Sequence, residues 1–170
     1  MHRNGRPVIF LMADDDPDDR LLIKEAFQES LVSNKIYFVE DGVELLDYLR
    51  RQDKFANSSD VPTPDLILLD LNMPRKDGRE ALIEIKSDPQ LRYIPVVVLT
   101  TSKAEEDIMR SYDIGAASYI TKPVTFNGLV AAIKGLGQYW VQIVRLPKKD
   151  KLHDHSMDTF SEDALIEIAD

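Results

Sequence analysis

The sequence predicts an α/β fold: a doubly wound, five-stranded parallel sheet in the flavodoxin-like order 2-1-3-4-5, forming one domain with a carboxyl-terminal extension. Three observations lead there. Runs rich in Val, Ile and Leu at Val8–Ala13, Leu66–Leu69 and Val96–Leu99 are too short for helices and do not alternate, as expected of strands covered on both faces. Helix-period patterns separate the strands, so strand and helix alternate along the chain. Polar residues able to do chemistry stand at the carboxyl ends of the runs, where open parallel sheets place their ligand sites.

Each element follows in turn. After the first strand come Asp14, Asp15, Asp16 and Pro17. Proline is favoured at the first helical position, which makes Asp16 the expected N-cap, with Asp18 and Asp19 complementing the helix dipole. That leaves Asp14 and Asp15 for the pocket. Leu22, Ala26 and Phe27 repeat at helical spacing; Lys35–Val39 is a weaker strand; Val43, Leu46 and Leu49 mark a second helix after Asp41-Gly42. Asn57, Ser58, Ser59, Pro62 and Pro64 make 52–64 a long loop. The third strand ends at Asp70, and Ala81, Leu82 and Ile85 form a helical face after Gly78. The fourth strand ends at Thr100, Ile108 and Tyr112 mark the next helix, and a weak strand at Ala117–Thr121 ends at Lys122. Phe126, Val130, Ile133, Leu136 and Trp140 pattern the last helix.

The domain is expected over 1–146, with a core at about 7–140 and an apolar arm at 139–146. In the arm, Tyr139, Trp140, Val141, Ile143 and Val144 are more apolar than a terminal surface should be, and such a patch usually marks an interface. The alternative is that they fold back on their own domain. Residues 147–170 read as a polar, acidic tail, with a possible short helix at 159–169 where Thr159 and Glu162 have capping-box spacing.

Composition narrows the function. At 170 residues and 44% hydrophobic, the chain can bury one good core. A formal charge of -9 argues against broad nucleic-acid binding, and the residues after Leu146 are too few for a helix-turn-helix domain, so no direct DNA binding is expected. Cysteine is absent, which excludes disulfides and thiolate chemistry. The run after Arg3 and Arg6 is too short for a signal peptide, and nothing approaches membrane-spanning length. A cytoplasmic protein is the expectation.

In the order 2-1-3-4-5 the first and third strands are neighbours, so Asp14, Asp15 and Asp70 would meet. Three ionised carboxylates in one pocket repel unless a cation intervenes; oxygen-only ligands favour magnesium, manganese or calcium, and a few carboxylates with waters and phosphate oxygens suit magnesium best, with manganese as a possible substitute. Taken singly, each residue has a plainer reading: an acid run that caps a helix, a solvated loop lysine at 122, a β-branched strand residue at 100, a half-buried aromatic at 119. Their joint placement at strand ends is what argues for a site.

The pieces "MADDDPDDR", "LILLDLNMPRKDG", "VVVLTTS" and "SYITKP", in that order and spacing, resemble the receiver domains of two-component response regulators. The stretches "DGVELLDYLR", "SDPQLRYIPVVVLTTSKAEEDI" and "YWVQIVRLP" are similar to the subgroup paired with phytochrome histidine kinases. The resemblance implies a regulator, not an enzyme with turnover on other substrates. Its phosphoacceptor would be Asp70, with magnesium held by Asp14, Asp15, Asp70 and the backbone carbonyl of Asn72. Lys122 would balance the phosphoryl oxygens, aimed inward by a cis Pro123. Thr100 and Tyr119 would be the switch pair, the threonine shifting toward the phosphate and the ring turning inward. Asn72 and Ser102 would tune dephosphorylation, and Gly78 would allow a tight turn. The implied partners are a sensor histidine kinase, a bacteriophytochrome by subgroup, and a second copy of the chain through the helix 4, strand 5, helix 5 face and the arm.

Other classes fit less well. A haloacid-dehalogenase-like phosphatase wants an acid where Asn72 stands. An EF-hand loop beginning at Asp14 wants glycine where Asp19 stands. His153 and His155 in the tail suit solvent better than a metal. A phosphorylation-independent scaffold with the receiver fold remains the alternative.

Overall fold

The computed structural model describes residues 7–30, 34–57, 61–143 and 146. Strands β1 (Ile9–Ala13), β2 (Lys35–Val39), β3 (Leu66–Leu69), β4 (Val96–Thr100) and β5 (Ser118–Thr121) form one parallel sheet in the order β2-β1-β3-β4-β5. Helices α1 (Pro17–Ser30), α2 (Gly42–Arg50), α3 (Gly78–Ser87), α4 (Glu105–Ile114) and α5 (Phe126–Leu136) connect them, and a π-helical turn at Gly137–Ile143 prolongs α5. The predicted order and alternation are those observed.

The absence of apolar–polar alternation now has its cause. β1, β3 and β4 are buried at every position, and successive side chains serve different cores. Phe10, Met12, Leu66, Leu68, Val97 and Leu99 pack with Ile23 and Phe27 of α1 and Leu129 and Ile133 of α5. Leu11, Ala13, Ile67, Leu69, Val96 and Val98 pack with Leu45 and Leu46 of α2 and with Leu82 and Ile85 of α3. A strand inside a two-faced sheet has no wet side, so its sequence carries no period.

Helix starts match their chemistry. Asp16 accepts the backbone N–H of Asp18 at 2.9 Å ahead of α1, as its place before Pro17 predicts. Asp41 and Asp77 cap α2 and α3 through the N–H groups of Glu44 and Glu80, and Thr125 caps α5 through Gly128. The capping residue of α4 is Ala104, which offers no side-chain bond.

Several expectations need correction. In α1 the buried face is Ile23, Ala26 and Phe27, while Leu22 lies one residue off that i, i+3, i+4 stripe and is exposed. In α2 the buried side chains are Leu45, Leu46 and Tyr48; Val43 and Leu49 are only half covered. Tyr112 of α4 is exposed, and Ser111 is the one buried residue of that helix. The loop 52–64 contains a 3-10 turn at Asp53–Phe55, and the Tyr48 hydroxyl donates to the Pro62 carbonyl at 2.9 Å.

The apolar arm is corrected as well. Trp140 and Val141 are 7% and 3% exposed, packed into the α1/α5 core, and Leu146 packs against the same cluster. The alternative of folding back therefore holds for these two, because the π-helical turn carries α5 far enough to bring them over its own sheet face. Tyr139 stays exposed, edge-on to Trp140. Val144, the side chain of Ile143, the histidines of the tail and the possible helix at 159–169 lie outside the described residues.

Candidate functional site

Register brings the acids together. Ala13 pairs with Leu69, so Asp14 and Asp70 leave neighbouring strands side by side; the Asp70 N–H donates to the Ala13 carbonyl at 3.0 Å. Asp14 is buried completely and Asp70 is 6% exposed, whereas Asp15 faces solvent. One carboxylate oxygen from each of Asp14, Asp15 and Asp70 lies within 4.8 Å of the others. An oxygen-only set of that size, two members buried and one open to water, fits a hard divalent cation that keeps part of its hydration shell.

The carbonyl of Thr100, at the end of β4, accepts the Lys122 N–H at 2.7 Å, which sets the lysine beside the acids. Its Nζ donates to Asp14 at 2.6 Å, to Asp19 at 2.9 Å and to Asp70 at 3.0 Å. The Lys122–Pro123 bond is trans, against the expectation of a cis bond: the ladder bond and the three carboxylates already aim the lysine inward. The Thr100 hydroxyl donates to Asp70 Oδ1 at 2.9 Å, and the Asn72 N–H reaches the same oxygen at 3.2 Å. Asn72 itself is exposed at the mouth of the site.

Protonation follows from this geometry. Burial disfavours the charge on Asp14 and raises its pKa, and the hydrogen bond from Lys122 offsets only part of that. Burial also opposes the charge on Lys122, but the bond and attraction of Asp14, with Asp70 and Asp19 behind it, outweigh the penalty and raise its pKa. The lysine is thus a fixed ammonium, and Asp14 is the acid the fold holds at a cost.

Tyr119, half buried against the α2/α3 core, donates its phenol to the Ser102 carbonyl at 3.0 Å. The Ser102 hydroxyl donates to Asp107 at 2.8 Å, toward α4. Gly78 has a different reason from the one expected: it is needed for close approach, since a Cβ there would lie 2.1 Å from the Asp70 carbonyl oxygen. The positive φ of this loop, 63°, falls on Arg75, whose guanidinium holds the Asp41 carboxylate at 2.7 and 3.1 Å.

Sequence reasoning assigned Asp19 to the helix dipole alone, yet it binds Lys122. No local pattern marked it, because Lys122 lies 103 residues away. The pair Arg79–Asp107, on α3 and α4, left no local signal, because 28 residues separate its members.

Strand-end acids around a fixed ammonium, at the end of a 2-1-3-4-5 sheet, define a receiver-type site. Residues 10–134 match the response regulator receiver domain family, and the chain belongs to that family. The response regulator Rcp1 of Synechocystis sp. is 40% identical over 141 residues, 83% of this chain and 94% of the relative. The phosphorylated cyanobacterial phytochrome response regulator RcpA superimposes with a TM-score of 0.77 at 45% identity, over 84% of this chain and 100% of that one. The Mn(2+)-bound form of Rcp1 does so with a TM-score of 0.76 at 39% identity, over 84% and 100%. The chain is therefore a receiver-domain response regulator of the Rcp1 type. Among the described residues no helix is long and apolar enough to cross a membrane.

Proposed function

We propose that Asp70 accepts a phosphoryl group from the phosphohistidine of a sensor histidine kinase, of the phytochrome type, in the cytoplasm. The observation that carries the reading is the contact set on one carboxylate: Lys122 and Thr100 both donate to Asp70, at 3.0 and 2.9 Å, beside the buried Asp14. An Asp70 oxygen attacks phosphorus; the P–N bond breaks, and the imidazole keeps its electron pair. Asp14, Asp15, Asp70 and the Asn72 carbonyl would hold magnesium, or manganese in its place, which supplies positive charge where two anions must meet. Lys122 balances the phosphoryl oxygens, and the Thr100 hydroxyl donates to one of them.

The output is a change of the α4–β5–α5 face through Thr100 and Tyr119. A second copy of the chain is the partner that reading gives this face, where Met109 and Tyr112 of α4 and Phe126 of α5 are exposed; Tyr139 of the arm is exposed as well. The phytochrome pairing is supported by the likeness to RcpA, a cyanobacterial phytochrome response regulator, and by the similarity to Rcp1. The protein acts only on its own phosphoryl group, and Asn72 and Ser102 tune how fast water removes it.

Phosphotransfer from a phytochrome kinase and from acetyl phosphate, with wild type and Asp70→Asn, tests the reading. The wild type gains one phosphoryl mass with magnesium present and Asp70→Asn gains none. Equal labelling of the two removes Asp70 as acceptor, and no labelling of either favours the phosphorylation-independent scaffold.

A further inference from the structure

α4 is the least anchored helix. It buries only Ser111, and its N-cap, Ala104, makes no side-chain bond. Among the described hydrogen bonds, those of Asp107 tie its first turn to the rest of the molecule. The Asp107 carboxylate takes both arms of the Arg79 guanidinium, at 2.8 and 2.7 Å, and the Ser102 hydroxyl at 2.8 Å. A bidentate guanidinium–carboxylate pair fixes orientation as well as distance. Arg79 starts from the Asp70 side: it follows Gly78, which lies against the Asp70 carbonyl, and its Nη1 reaches the Leu71 carbonyl at 3.5 Å.

The network therefore joins the loop after the phosphoacceptor to the loop after Thr100. Within that second loop, Ser102 is held at both ends. Its hydroxyl is engaged by Asp107, and its carbonyl receives the phenol of Tyr119 at 3.0 Å. Two residues earlier, Thr100 bonds Asp70. Both switch side chains are thus inward in a structure with Asp70 unmodified.

We infer that Asp107, braced by Arg79, is a positioning residue for the Asp70 site: it fixes the loop 101–104 so that Ser102 receives Tyr119 and Thr100 stays on Asp70. The inference rests on Asp70 being the acceptor. It also reassigns Ser102, whose hydroxyl faces Asp107, so any effect of that position on hydrolysis passes through Asp107. Glu105 and Glu106, the other acids of the first turn of α4, are exposed and make no such bonds among those described. Because phosphorylation favours the inward pair, a brace that favours the same arrangement must favour phosphorylation by linkage.

Arg79→Ala, Asp107→Ala and the double variant decide the matter, with Asp107→Asn as the isosteric substitute should a truncation fail to fold. Tyr119 ring resonances, assigned with Tyr119→Phe, are followed in the unphosphorylated, metal-free protein; labelling by acetyl phosphate with magnesium is followed by mass. Each single variant should move the Tyr119 resonances and slow labelling about fivefold, the low end of ordinary coupling between sites. The double variant should be no worse than either single one, as the pair acts as a unit. A pair that only holds helices together would lower the melting temperature and leave Tyr119 where it is; that result, or independent additive losses, overturns the inference. Should the wild type itself resist labelling, the phosphoacceptor reading fails, while the Tyr119 resonances still decide the brace.

Discussion

Replacing Asp14 by asparagine should stabilise the metal-free protein. Asp14 is fully buried, with one oxygen within 4.8 Å of an oxygen on each of Asp15 and Asp70. At an effective dielectric of about 20, repulsion from Asp70 at that distance is about 3.5 kcal/mol, while the exposed Asp15 is largely screened by water. Attraction to the Lys122 ammonium at 2.6 Å returns about 6 on the same scale. The lysine outweighs the repulsion, so the sign rests on the cost of taking a carboxylate out of water, ordinarily several kcal/mol and the largest influence on Asp14. The sign in pH agrees. With burial raising its folded pKa above the ordinary 3.8, Asp14 holds its proton to higher pH in the folded than in the unfolded state, so stability falls as pH rises above 3.8 until the folded carboxyl is ionised. Asparagine keeps an oxygen for the Asp16 N–H and removes the charge. We expect a gain of about 2 kcal/mol, or about 4–8 °C in the midpoint for a chain of this size. Thermal and urea melts in chelator at pH 7 measure it. Adding manganese should then raise the wild-type midpoint and leave the variant little changed. A variant less stable than wild type in chelator would refute the claim that burial outweighs the lysine.

Two further substitutions probe the frame around the site. Gly78→Ala forces a methyl to 2.1 Å from the Asp70 carbonyl oxygen, so a loss of about 3 kcal/mol or more is expected, with slower labelling by acetyl phosphate if Asp70 is the acceptor, because the loop after it must shift; unchanged urea melts would show that the approach is not tight. Trp140→Ala should cost about 3–5 kcal/mol of unfolding free energy, as for other buried aromatics, without changing the oligomeric state seen by light scattering. A loss of assembly with intact stability would instead return Trp140 to an interface.

The legible part of the fold was its strands, whose unbroken apolar runs have a single explanation once helices alternate with them. Asp70, Asp14, Asp15, Thr100 and Lys122 could be placed because each ends a strand and topology does the rest. The faces of α1 and α4 were harder. Leu22 and Ile23 are adjacent and equally apolar, and only the packing of Phe27 on Phe10, centroids 4.9 Å apart, selects between them. The arm misled for a related reason: an apolar terminus has the same composition whether it meets another chain or its own sheet. The Arg79–Asp107 and Arg75–Asp41 pairs, and the third acceptor of Lys122, are contacts between distant segments that only the fold creates.

The ammonium of Lys122 has three hydrogens, and Asp14, Asp19 and Asp70 take all of them. An arriving oxygen can therefore gain this lysine only by displacing a carboxylate, never by adding to a vacant hydrogen. Any anion binding there would leave the number of bonds on nitrogen unchanged, and its gain would be set against that of the carboxylate it displaces.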